Sequence, residues 1–102
     1  ITDFYLMKAE AEIRLGNNGD QWINPIRQRA GVSAWSGAGL DSLLAERGRE
    51  LYCEGHRRQD QIRFGKWTQS WWEKDAHSTG LETFPIPKWA TDVNSNLLLP
   101  AI

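Results

Sequence analysis

The chain has 102 residues and a mass of 11.7 kDa, one domain's worth of polypeptide at the low end of the usual range. With 40% hydrophobic and 25% charged residues it is neither a disordered nor a collagen-like chain. A balance of 12 basic against 13 acidic residues argues against a nucleic-acid binder working by bulk electrostatics, and one cysteine, Cys53, excludes an internal disulfide framework and a Cys-based zinc site.

Tyr5, Leu6, Ala9 and Ile13 recur at helical spacing and predict a helix over 3–15, opened by Thr2 or Asp3 and supported by the i,i+4 pair Glu10 and Arg14. Gly16 suits the left-handed position past its end, and Asn17-Asn18-Gly19 makes a turn. A second helix over 20–30 turns Trp22, Ile23, Ile26 and Ala30 inward, with Asp20 as its cap. Pro25 then distorts the first turn, unless Asn24 is the cap and Pro25 the first helical residue. Gly31 ends this helix, and the Ser/Gly/Ala-rich stretch to Gly39 is a loop.

The longest helix is expected over 40–64. Leu40, Leu43, Leu44, Leu51 and Ile62 mark its buried side. Glu46, Arg47, Arg49, Glu50, Glu54, Arg57, Arg58, Asp60 and Arg63 make the other side dense in charge, with Glu54 and Arg58 as an i,i+4 pair. Gly48 and Gly55 each cost roughly 1 kcal/mol against Ala, so a break or a tight packing contact is expected near one of them. Residues 66–102 read as an irregular tail laid over the helices, with one short helix near 67–72. Phe84-Pro85-Ile86-Pro87 is not helical, because proline biases the residue before it towards extended backbone. The longest apolar runs, such as Leu97-Leu98-Leu99, fall far short of the ~20 residues that span a bilayer.

The fold class is therefore all-α: a helical hairpin, a third long helix and an irregular C-terminal tail. So long an irregular tail needs a large surface to lie on. The chain also begins at Ile1, without initiator Met or signal peptide. Both lead to the expectation that it is part of a larger α-helical repeat fold.

Paired carboxylates near arginines occur in acid–base enzymes. Ion-pair networks that serve structure look the same in sequence. Glu50, Glu54, Arg57, Asp60 and Arg63 are assigned to such a network, tying the third helix to backbone carbonyls and to the tail, and no residue is assigned to catalysis. Cys53 and His56 are three apart on the expected helix, but no metal-binding spacing includes them, so no metal or cofactor is expected. The 6 tryptophans are the unusual feature of the composition. Trp rings can stack on the flat C–H faces of sugars and hydrogen-bond at their edge. Trp35, Trp71 and Trp72, in expected loops, are the candidate ligand-binding residues. Trp22, Trp67 and Trp89 are assigned to packing.

Four segments, in order, resemble the C-terminal part of the SusD/RagB family. Tyr5-Leu6-Met7-Lys8-Ala9-Glu10-Ala11 is similar to its Tyr-Leu-x-x-Ala-Glu-Ala helix. Ile23-Asn24 with Ile26-Arg27-Gln28-Arg29-Ala30-Gly31 follows Ile-Asn-x-Ile-Arg-x-Arg-Ala-Gly. The run from Glu46 to Lys66 resembles Glu-Arg-x-x-Glu-Leu-x-x-Glu-Gly-His-Arg-x-x-Asp-x-x-Arg-x-Gly-Lys. Phe84-Pro85-Ile86-Pro87 and Asn94-Ser95-Asn96-Leu97 resemble its closing Phe-Pro-Ile-Pro and Asn-Pro-Asn-Leu. Pro25, Gly48, Gln59, Gln61 and Ser95 depart from the pattern, and the last four residues, Leu99 to Ile102, lack its closing Gln-Asn-Pro-Gly-Tyr.

The resemblance implies tetratricopeptide-like helical repeats in a non-enzymatic, cell-surface lipoprotein of the Bacteroidetes outer membrane. Its lipid-anchored N-terminal cysteine is not in this chain. Such a protein would capture oligosaccharides, or peptides in some relatives, for a TonB-dependent transporter of the SusC type. This segment would act mainly as scaffold, and no family binding residue maps onto it. The rival readings are a tetratricopeptide-type protein-interaction module and a carbohydrate hydrolase with two carboxylates across a cleft.

Overall fold

A computed structural model describes residues 1–78 and 80–97. The protein is all-α, with helices α1 (Thr2–Arg14), α2 (Asp20–Arg29), α3 (Leu40–Glu50), α4 (Arg57–Arg63) and α5 (Lys88–Val93). No strand occurs among the described residues, and Trp71 and Lys74 form an isolated β-bridge. The chain divides into two compact units, the first from Ile1 to Phe64 and the second from Gly65 onward.

In the first unit, α1 and α2 form the expected hairpin, and α1 also packs on α3. Leu6, Ala9, Ile23, Ile26, Leu43 and Leu51 make the core, with Tyr5, Ile13, Trp22, Trp35 and Phe64 half-buried around it. Ala30, expected inside, is exposed, because it lies beyond the last turn of α2. Both hairpin helices stop in the same way. Gly16 and Gly31 adopt φ of +83° and +75°, where a side chain would be strained. Asn17 N–H then reaches Glu12 O and Val32 N–H reaches Arg27 O, satisfying carbonyls that the helix end leaves open.

The starts differ from expectation. α1 has Ile1 at its cap position and no side-chain cap, since Asp3 is drawn to Arg47 instead. α2 begins at Asp20 with Gly19 before it, and Pro25 stays inside the helix, on its exposed side.

The expected single helix over 40–64 is two helices. Leu51 is buried at the end of α3, and the chain turns through Cys53 at φ 60° and Gly55 at φ 80° before α4 starts. The apolar stripe explains the break: after Leu51 the next apolar inward position is Ile62, so nothing apolar holds residues 52–58 in helical register. Gly48, by contrast, stays helical because of what lies above it. A Cβ there would stand 2.7 Å from Arg57 Nη1, and the missing side chain leaves room for that guanidinium to donate to Leu44 O at 2.8 Å.

The second unit is less helical. The expected helix near 67–72 is absent. Instead Trp71 and Lys74 exchange N–H···O bonds of 3.0 and 2.9 Å around Trp72-Glu73. Phe84-Pro85-Ile86-Pro87 is irregular, as its prolines require, but it leads into α5, a six-residue helix in the expected irregular tail. Pro87, pre-set at φ −60°, starts it, and Lys88 donates to Asp92 at 2.7 Å one turn on. Nothing in α5 is buried. Trp89, expected to pack, is 73% exposed because the helix that carries it has no buried side. Asn94 Oδ1 accepts from Asn96 N–H in a local turn. The Leu98-Leu99 run and the end to Ile102 lie outside the described residues.

Candidate functional site

On α2, Asp20, Asn24 and Arg27 share one face at i, i+4 and i+7. Asp20 accepts from Gly37 N–H (2.6 Å) and Ala38 N–H (3.0 Å). Asn24 pairs with both backbone groups of Trp35, donating to its O at 2.9 Å and accepting from its N–H at 2.8 Å. Arg27 donates to Ser33 O at 2.7 Å. These three side chains supply the backbone partners that the loop cannot find in a sheet or helix. The Ala38 N–H bond lowers the Asp20 pKa against slight burial, with Gly37 and Asn18 adding to it.

The loop lays Trp35 under charge. The Arg27 guanidinium sits 3.8 Å from the Trp35 ring centroid and that of Arg49 at 5.7 Å. Arg27 also donates to Glu46 at 2.8 Å, and Arg49 to the same carboxylate at 2.6 Å. A concavity of about 310 Å³ opens here, bordered by Trp35, Arg49, Glu50 and Val32. Glu50 is taken up by Arg29 at 2.9 Å.

Across α1, α3 and α4 a second cluster faces a concavity of about 500 Å³ bordered by Asp3, Met7, Arg14 and His56. Arg47, 3% exposed, donates to Asp60 (2.7 Å) and to Asp3 (3.0 Å). Arg63 donates to both oxygens of Glu10 at 2.9 Å and to Asp60 at 2.9 Å, and Arg14 closes on Glu10 at 2.9 Å. Burial pushes the Glu10 carboxyl up, but the hydrogen bonds from Arg63 and Arg14 outweigh it and hold it below the ordinary value. The same Glu10 bonds raise the pKa of Arg63. Charges in this arrangement are matched and fixed, which suits anchoring helices. A general acid needs the opposite shift, a raised carboxyl pKa.

In the second unit, the bridge between Trp71 and Lys74 adjoins a cluster of rings. Trp67 lies 5.9 Å from Trp71 and 6.0 Å, edge-on, from His77. Lys74 Nζ stands 4.1 Å over Trp71 and donates to Gln69 O and Asp75 O at 2.9 and 3.2 Å. Trp72, at the turn, is 85% exposed.

The assigned ligand-binding residues therefore fall in two places, and the assigned network residues do not form one cluster. Trp35 is in the α2–α3 loop beneath Arg27, and Trp71 and Trp72 are in the second unit. Asp60 and Arg63 meet in one cluster, Glu50 joins Arg29, and Arg57 holds Leu44 O. With its amide oxygen turned toward Arg57, Gln61 also accepts from Nη2 at 3.0 Å and Nε at 3.2 Å. Glu54 lies exposed in the turn after α3, not on a helix, so its expected i,i+4 pairing with Arg58 has no helical register to form in. Glu46, Arg47 and Asp60, expected on a charged outer side, are the most buried charged residues, at 2%, 3% and 1% exposure. Arg49 and Arg63 are i,i+3 partners on their own helices, but Arg27–Glu46, Arg47–Asp3 and Arg47–Asp60 join different helices, which no local pattern displays. Asp3, Glu10, Asn24 and Arg27 carry as much of these clusters as the residues singled out. Among the described residues no group of three or more His, Cys, Asp or Glu could hold a metal, and no helix is long and apolar enough to cross a membrane.

The buried clusters coincide with the motif segments. Asn24 and Arg27 clamp the loop, Glu46 and Arg47 reach two partners each, Asp60 joins Arg47 to Arg63, and Arg63 closes on Glu10 of α1. The family model described as SusD family matches residues 1–87. The starch-binding protein SusD of Bacteroides thetaiotaomicron is 33% identical over 106 aligned positions, covering 94% of this chain and 19% of that protein. The SusD-like protein P25 of Formosa agariphila is 41% identical over 75 positions, covering 64% of this chain and 14% of that protein. The chain thus spans about a fifth or less of the length of these curated relatives. The match over residues 1–87 includes all of the residues that build the two ion-pair clusters, and on it the chain belongs to the SusD family.

Proposed function

We propose that the protein containing this chain is a non-enzymatic, surface-exposed lipoprotein of the outer membrane. It binds oligosaccharide nutrients and passes them to a TonB-dependent transporter of the SusC type, and residues 1–64 serve it as scaffold. The single observation that carries this reading is the SusD family match over residues 1–87, and the larger concavity agrees with a non-enzymatic role, because every carboxylate around it is neutralised. Asp3, Glu10 and Asp60 each accept from arginine, and the Glu10 pKa is lowered. A glycosidase needs a carboxylic acid kept protonated near neutral pH. The starch-binding relative, alike over 94% of this chain, supports sugar as the ligand class.

The scaffold role draws support from α1. Its inner stripe is Leu6, Ala9 and Ile13, but Ile1, Phe4, Met7 and Leu15 form a second apolar stripe at 88%, 71%, 50% and 77% exposure. A helix apolar on two sides belongs between two layers, as in stacked tetratricopeptide-like repeats. The test is isothermal titration of the intact protein against a panel of oligosaccharides, with a reducing-end assay in parallel. Saturable binding without release of reducing ends is expected, and hydrolysis would overturn the reading.

A further inference from the structure

Three tryptophans are candidates for stacking on a sugar, and their surroundings separate them. Trp35 has its ring occupied by Arg27 at 3.8 Å, and that arginine is held in turn by Glu46 and Ser33 O. Trp71 has Lys74 Nζ over its ring at 4.1 Å. Trp72 is 85% exposed.

Its exposure is built into the chain. Trp71 and Lys74 exchange two backbone hydrogen bonds, so Trp72-Glu73 is a two-residue turn. Trp67 holds Trp71 and His77 in tilted and edge-on ring contacts, and His77 N–H ties the far side of the loop to Thr68 O at 3.0 Å. Glu73 has φ 60°, a position that glycine or asparagine would occupy with less strain. Residues held in such sparsely populated backbone regions cluster at active sites and ligand clamps.

The neighbours indicate what it binds. Gln69, Ser70, Glu73 and Asp75 flank Trp72 in the chain, and all are exposed. An apolar ring with polar groups around it complements a pyranose, which has one C–H face and a rim of hydroxyls. Lys74, the cation of the turn, is directed at Trp71 and two carbonyls, which leaves the carboxylates of Glu73 and Asp75 as the outward charge. Those carboxylates accept from sugar hydroxyls and repel uronate or sulfate groups.

We propose that the Trp71–Lys74 turn is a stacking site for a neutral sugar residue, with Trp72 as the plate and Glu73 as a hydrogen-bond acceptor at its edge. The site presupposes the oligosaccharide-binding function proposed above. The test is isothermal titration of the intact protein with maltoheptaose and cellohexaose as neutral probes and a hexa-galacturonate as the anionic one. Trp72→Ala should weaken binding of the neutral probe that the wild type takes by about tenfold or more, the scale of one lost aromatic contact. Trp72→Phe should recover most of it, and Trp89→Ala, at another exposed tryptophan, should leave it unchanged. Because Trp72 is exposed, an unaltered circular dichroism spectrum is expected for each variant. Wild-type binding that Trp72→Ala leaves intact would overturn the site while keeping the function. Preference for the galacturonate would overturn the neutral class, and no binding of any probe would overturn the function and the site together.

Discussion

Replacing Asp60 by asparagine removes one charge from the middle of the larger ion cluster while keeping its shape. Asp60 is 1% exposed and accepts from Arg47 Nε at 2.7 Å and from Arg63 Nη2 at 2.9 Å. The two arginines are not equally affected. Arg63 keeps the bidentate Glu10, and its side chain is 41% exposed, so water shares its charge. Arg47 is 3% exposed and keeps only Asp3, whose side chain is 32% exposed. The variant therefore strands a buried guanidinium. Breaking one side of a buried pair costs about 3–5 kcal/mol, and the amide oxygen of the introduced asparagine, as a residual acceptor, places the loss near the lower end, at about 3 kcal/mol. Urea unfolding of the intact protein, followed by circular dichroism, should show a lower midpoint at an unchanged slope. Arg47→Met combined with Asp60→Leu should recover stability to within about 1 kcal/mol of wild type, since apolar groups of similar volume need no counter-ion. An unfolding free energy for Asp60→Asn within about 0.5 kcal/mol of wild type would refute the reasoning. So would a double variant no more stable than the single, because the penalty would then not come from an unpaired charge.

Arg57→Ala should destabilise by about 1–3 kcal/mol through the lost bond to Leu44 O, with ligand affinity in titration unchanged. Gly48→Ala should gain about 0.8–1 kcal/mol of helix propensity in that Arg57→Ala background and little or nothing in wild type, where its Cβ would displace Arg57 Nη1; additive effects would contradict the contact. Glu10 has a lowered folded pKa, so its contribution is complete above the ordinary value of 4.5 and is lost as pH falls through that value towards the folded one. Urea midpoints followed from neutral pH into the acid range should fall in that window, and less steeply in Glu10→Gln. Asn24→Ala should release the loop by leaving both backbone groups of Trp35 unpaired, at about 1–3 kcal/mol, and hydrogen exchange at Trp35 N–H should rise.

Apolar spacing and glycine chemistry made the hairpin legible. Leu6, Ala9, Ile23 and Ile26 repeat at helical intervals, and Gly16 and Gly31 end their helices where the sequence places them. Both signals are local. The burial of Glu46, Arg47 and Asp60 is not, because a charged residue reads as solvent-facing until its partner is known. Arg47 meets Asp60 across 13 positions and Asp3 across 44, and Arg63 meets Glu10 across 53. The break after Leu51 was half legible: Gly55 pointed to it, but Cys53 at φ 60° carried no sign of it. α5 was hidden for a different reason. Six residues with none buried have no apolar period to detect, and only the fixed φ of Pro87 and the Lys88–Asp92 pair favour a turn there.

The same contrast bears on where function can reside in this segment. Its motif residues direct their hydrogen-bonding groups at one another: Arg27 at Glu46 and Ser33, Arg47 at Asp60 and Asp3, Arg63 at Glu10 and Asp60. A ligand that took any of these groups would have to break a buried pair, at a cost larger than a single sugar contact offsets. Binding is therefore favoured where side chains are both held in place and uncommitted. In the first unit the large exposed apolar groups are Tyr52, in the turn after α3, and the second α1 stripe, and the stripe suits another helix better than a sugar. In the second unit, Trp72 is held by its turn and has an open ring, so a ligand can stack there without breaking any existing pair.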